Sequence, residues 1–120
     1  MTCVYKDDPA ARMVEITVDG RVTEADFDEI AARLASFIAD HGPIRILEIV
    51  KSFDGFDLAT IPKGVMFDIR HLKDFTHCAV VTDNGWIGPF TRAMSPFFSI
   101  DIRVFPLAEE AAARAWLKSA

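Results

Sequence analysis

The sequence lacks most of the devices by which small proteins perform chemistry or enter membranes. Cysteine is scarce: Cys3 and Cys78 are the two in 120 residues, too few for the disulfide framework of a small secreted domain. The expectation is two reduced thiols, with Cys78 packed in the apolar run from His77 to Val81. Positive charge is in the minority: 13 Lys and Arg against 18 Asp and Glu leave a net charge of −5. No basic cluster offers a grip on phosphates, so nucleic acid is not an expected partner. No apolar run approaches the roughly 20 residues of a membrane-spanning helix. The start from Met1 has neither the basic region nor the apolar stretch of a secretion signal, and a cytoplasmic location is expected.

Catalytic signatures are missing as well. Ser52, Ser95 and Ser99 sit in no Gly-x-Ser-x-Gly elbow, and Gly85 with Gly88 is too little for a phosphate cradle. None of His41, His71 and His77 stands at metal-ligand spacing from a second ligand type. His77 and Cys78, adjacent on a strand pattern, point to opposite faces and do not share an ion. The expectation is therefore no catalytic residue, no metal and no cofactor.

What is present describes a globular domain. Hydrophobic residues make up 51% and charged residues 26%, and residues 1–120 fit one domain that buries a core without cross-links. Cys3 to Tyr5 is a short strand, followed by a turn at Asp7-Asp8-Pro9. Met13 to Val18 alternates, with Val14, Ile16 and Val18 on one face, and Asp19-Gly20 reads as its end. These two strands are placed as an antiparallel hairpin. Thr23 is a natural N-cap, with Glu24 and Asp26 in the first turn. Phe27, Ile30, Ala31, Leu34, Phe37 and Ile38 form a helical stripe that Gly42 and Pro43 stop.

Ile44 to Val50 has few polar interruptions, as an interior parallel strand does. Lys51 to Asp57 reads as a loop around Gly55. Pro62 opens a second helix with Val65, Ile69 and Leu72 inward. His77 to Val81 is a strand, Thr82 to Gly85 a turn, and Trp86 to Phe97 a third helix. If Trp86, Phe90 and Phe97 of that helix face the core, then Ile87, Met94 or Phe98 is left partly outside. Ser99 to Phe105 is the fifth strand, and Glu109 to Lys118 the last helix. Strands alternating with helices imply a mostly parallel sheet with right-handed crossovers. The expected fold is α/β: a mixed, mostly parallel five-stranded sheet with an N-terminal antiparallel hairpin and about four helices.

Several stretches in this order resemble the SpoIIAA-like family, small bacterial proteins of the STAS type related to anti-sigma-factor antagonists. They are Gly20-Arg-Val-Thr-Glu-Ala-Asp-Phe, Phe53-Asp-Gly-Phe-Asp, Asp68-Ile-Arg-His-Leu-Lys-Asp-Phe, Ala79-Val-Val-Thr-Asp, Trp86, and the closing helix from Glu109 to Leu117. The similarity spans nearly the whole chain. It implies a non-enzymatic regulatory domain that binds a protein partner, a second copy of itself, or a small apolar molecule. Antagonist-type STAS domains carry a phosphorylated serine in an Asp-Ser-Ser-Gly-like turn after the central strand. Here that stretch runs from Phe56 to Gly64 without a serine, and Thr60 is the nearest hydroxyl. The phosphorylation switch is therefore not carried over.

Two groups of candidate residues remain. Ligands of open parallel sheets sit beyond the carboxyl ends of the strands. There Asp54, Asp57, Thr60 and Asp83 form a candidate ligand loop, with the carboxylates a conceivable acid–base pair if close, or simply good turn and capping residues. The second group is apolar: Trp86, Ile87, Phe90, Met94 and Phe98 are more large side chains than one buried stripe needs. They are the candidate surface for a partner or for a dimer.

Overall fold

The computed structural model describes residues 3–56, 72–85, 87–94, 96 and 100–120. Cys3–Asp8 (β1) and Met13–Val22 (β2) form an antiparallel hairpin, with Cys3 opposite Val18 and Asp8 opposite Met13. The Asp8 carboxylate closes the turn by accepting the backbone N–H groups of Ala10 and Ala11 at 3.1 and 3.3 Å. From β2 the chain enters α1 (Glu24–His41), then β3 (Ile44–Phe56). A 3-10 turn at Leu72–Asp74 leads into β4 (Phe75–Thr82), then α2 (Ile87–Met94) and β5 (Asp101–Phe105). A second 3-10 turn, Leu107–Glu109, opens onto α3 (Glu110–Ser119).

The five strands lie in sequence order, β1 antiparallel and β2 through β5 parallel. This is the mixed sheet expected from the alternation of strands and helices. The described residues contain three α-helices. The helix expected to open at Pro62, with Val65 and Ile69, falls outside them, and Leu72 of its stripe begins the 3-10 turn.

Helix α1 starts and stops where local chemistry directs it. The Thr23 hydroxyl accepts the Asp26 N–H at 3.1 Å, and the Asp26 carboxylate accepts the Thr23 N–H at 3.2 Å, a reciprocal capping box. Gly42, at φ 74°, donates its N–H to the Ile38 carbonyl at 2.8 Å and ends the helix.

Two expected breaks are corrected. Asp19-Gly20 does not end β2, and Lys51 to Phe56 is not a loop. Both strands run on as a two-stranded ribbon that pairs Asp19 with Ser52, Gly20 with Phe53 and Val22 with Phe56, with register shifts on either side. Turn-forming residues are absorbed as bulges: Gly20 at φ 116° and Gly55 at φ 103° adopt backbone conformations open to glycine and strained for other residues. The Ser52 hydroxyl donates to the Asp19 carboxylate at 2.7 Å, so a polar side chain read as turn chemistry bridges the ribbon.

Side-chain alternation along β3 divides the core. Ile44 and Ile46 join Tyr5, Val14, Leu34, Phe37 and Ile38 beneath α1. Leu47 and Ile49 join Met13, Ala79, Val81, Ala113 and Leu117 beneath α3. The α3 side is further tied by Arg45, which donates to the carbonyls of Ala11 and Ala120.

Candidate functional site

The two faces of the sheet are filled differently. On one side α1 lies over β2 and β3, its Phe27, Ile30, Ala31 and Leu34 turned to the sheet. On the same side α2 approaches β5 at Gly88, where a Cβ would stand 3.4 Å from Val104. Strand register sets this common face: Val104 pairs with Val80, and Val80 with Glu48. Under α1 the described residues line a cleft of about 340 Å³. Its floor is Ile16 and Val18 of β2, Ile46 and Glu48 of β3, Cys78 of β4 and Ile102 of β5. Cys3, Phe75 and Ile100 stand at its edges. The volume falls at the lower end of the range for small-molecule sites, and the walls are apolar as such sites require.

Among the described lining residues Glu48 is the single charged side chain. It sits half-buried on the middle strand, with Ile16 on one side and Val80 on the other in register. Cys78 faces the same space. Burial, with the nearby Glu48 charge adding to it, pushes its thiol well above its ordinary value and keeps it protonated. Neither Cys3 nor Cys78 is disulfide-bonded. They stand on β1 and β4, three strand spacings or about 14 Å apart across the sheet, far beyond disulfide reach. The expectation of two thiols holds.

At the outer edge of this side, Arg33 lies over the Tyr5 ring at 4.3 Å. Burial first, and the neighbouring Asp7 second, push the Tyr5 hydroxyl up to about 12.

The candidate ligand loop is dispersed. Asp83 caps the second 3-10 turn, its carboxylate accepting the Leu107 N–H at 3.0 Å. Asp54 is exposed on the β2–β3 ribbon beyond the end of β4. Since Val50 is level with Thr82, Asp54 lies roughly three residues, about 10 Å, further along the strand direction than Asp83. Asp57 and Thr60 lie outside the described residues.

The candidate partner helix presents one of its candidate residues to solvent. Phe90 is 58% exposed, while Ile87 is half-buried. The physical reason is Gly88: its missing side chain lets the helix come close to Val104 on that edge, which puts Phe90 outward. The turn before the helix is as expected, Thr82 accepting the Asn84 N–H at 3.0 Å and Asn84 accepting that of Ile87 at 3.1 Å. Met94 closes the helix, and Trp86 and Phe98 lie outside the described residues.

Glu48 is the residue that reading the sequence missed. Its signal was present: a carboxylate two positions from Ile46, and so on the same side, in a strand apolar on both faces. Among the described residues no three His, Cys, Asp or Glu side chains gather to hold a metal ion. No described helix is long and apolar enough to cross a membrane.

Parallel strands edged by a hairpin, with helices on both faces and an apolar cleft on one, define a small α/β domain of SpoIIAA-like architecture. The SpoIIAA-like family model matches residues 13–118, and the chain belongs to that family. The fold is shared with the crystal structure of an uncharacterized DUF3478-family protein with a SpoIIAA-like fold from Shewanella loihica PV-4. That structure superposes with a TM-score of 0.77 at 20% identity, over 96% of this chain and 91% of the other. No curated protein matches the chain.

Proposed function

We propose that this chain is a STAS-type regulatory module that works by binding, not catalysis, and that the cleft under α1 takes a small apolar ligand. The observation that carries the reading is the cleft of about 340 Å³, lined on α1 and all five strands almost wholly by apolar side chains. Asp83, the described member of the carboxylate group nearest the sheet, is engaged in capping, which favours binding over acid–base chemistry. Native mass spectrometry of gently purified protein, with titration of the neutral dye N-phenyl-1-naphthylamine, tests the proposal. Saturable binding of one dye per chain is expected. An empty protein that leaves the dye dark overturns it.

A second reading rests on the 58% exposure of Phe90. An outward phenylalanine on α2 suits contact with a second copy or another protein. Sedimentation at rising concentration is the measurement. A mass that grows with concentration in the native chain and not in Phe90→Glu is expected, and a native chain that stays monomeric throughout removes self-association through this helix.

A further inference from the structure

Helix α1 is anchored unevenly. Its buried side chains, Leu34, Phe37 and Ile38, all lie in its second half, where they pack with Tyr5, Val14, Ile44 and Ile46. In its first half Phe27, Ile30 and Ala31 are only partly covered and line the cleft. A segment with few fully buried apolar side chains opens at a lower free-energy cost than one held in the core. The first half follows directly from the ribbon of β2 and β3. β2 ends at Val22, which also lines the cleft, and Thr23 alone separates it from Glu24 at the start of α1. The capping box between Thr23 and Asp26 fastens the ribbon's end to the first turn. Among the described residues β1 pairs with β2 as far as Val18, and β4 with β3 as far as Val50. Beyond that level the ribbon carries register shifts on either side of Asp19 and Gly20, and bulged two-stranded ribbons twist and bend more readily than a full sheet.

We propose, resting on the cleft being a ligand site, that α1 is a hinged roof. Its first half, Glu24 to Ala31, and the ribbon open and close as one unit about a pivot at Leu34, and this opening admits the ligand. A molecule that fills the cleft touches Phe27, Ile30 and Ala31 in the closed state, so occupancy shifts the population toward closure. The ribbon then carries the state of the cleft to the surface, where Asp19, Ser52 and Asp54 are exposed.

The test is residue-resolved amide hydrogen exchange on the full chain, corrected for intrinsic rates. Residues 28–33 are expected to exchange about tenfold faster than residues 36–41, with the ribbon amides at the rate of the first group. Saturating N-phenyl-1-naphthylamine is expected to slow 28–33 and the ribbon together and to leave α3 unchanged. Thr23→Ala removes the capping hydroxyl and is expected to speed both segments about fivefold, the effect of losing one N-cap. Stopped-flow association of the dye should quicken by the same factor. Uniform exchange along α1, or a Thr23→Ala variant in which the helix speeds up and the ribbon does not, overturns the inference and leaves the cleft as a site with a fixed roof. An unchanged dye association rate in a Thr23→Ala chain that does open faster overturns the gating role. A dye that does not bind removes the ligand site and the gating with it, while exchange in the native chain and Thr23→Ala still decides whether α1 and the ribbon move as one.

Discussion

The two faces of one sheet make the most informative comparison in this molecule. Beneath α3, Leu47, Ala79, Val81, Ala113 and Leu117 are all 0% exposed. Trp116 closes the edge, with Arg103 over its ring at 4.6 Å and His77 edge-on at 5.7 Å. Beneath α1 the same strands supply equally apolar side chains, yet Ile16, Ile30, Phe75 and Cys78 stay only partly covered and a charged residue interrupts the floor. A face optimised for stability leaves no space, because each unfilled volume costs dispersion contacts. The difference between the faces is one of packing: α3 closes its face, and α1 roofs an open space.

Truncation gives the largest expected difference. Leu117→Ala removes a fully buried side chain from a closed layer, and about 2–5 kcal/mol of stability should go with it. Ile30→Ala, on a side chain already facing open volume, should cost about 1 kcal/mol. Urea denaturation with a common slope measures both. Equal losses would break the comparison and mean that the α1 side is as tightly filled in solution as the α3 side.

Filling is the complementary experiment, with a smaller effect. Ala113→Phe forces a ring into a layer with no room and should cost about 1–3 kcal/mol. Ala31→Phe places the same ring toward the cleft and should leave the urea midpoint nearly unchanged while abolishing dye uptake. An Ala31→Phe variant that still binds the dye would place the dye elsewhere. One destabilised as much as Ala113→Phe would again mean that the cleft is filled.

How much of this was legible in the sequence follows from the range of each interaction. The extent of α1 was legible because its signals are local: Thr23 and Asp26 cap each other three residues apart, and Gly42 binds Ile38 four residues back. The two-sided character of β3 was legible from its nearly unbroken apolar run. The ribbon beyond Val50 was not, because it depends on Ser52 meeting Asp19 across 33 residues, and each side alone reads as a turn. The orientation of α2 was not legible either, since in an eight-residue helix Ile87 and Phe90 alone do not mark one inward face. The packing of Gly88 on Val104 decides it. The cleft illustrates a further limit: helical spacing shows that Phe27, Ile30 and Leu34 turn inward, but the space they meet is set by where α1 lands on the sheet.

The smallest expected effect probes what holds α3 in place beyond its apolar contacts. Arg114 reaches from α3 to β2 and donates two hydrogen bonds to Glu15, at 3.0 and 2.8 Å, and one to Glu110 at 3.2 Å. The bonds from Arg114 hold the Glu15 carboxyl below its ordinary value of 4.5, against the opposing effect of burial. A carboxyl depressed in the folded state stabilises the fold above its unfolded pKa, and that contribution is lost as pH falls through the folded value. Both side chains are partly exposed, so Arg114→Ala should cost about 1 kcal/mol at neutral pH. As pH falls below the ordinary value of 4.5 and through the folded one, that cost should shrink toward zero as Glu15 takes up its proton in the native chain. Urea midpoints of the native chain and Arg114→Ala, followed from pH 7 to pH 3, check this, with Glu110→Gln separating the shorter-range pair. A cost that stays constant across the range would assign Arg114 to packing along α3, and the closed face would then owe its closure to apolar contact alone.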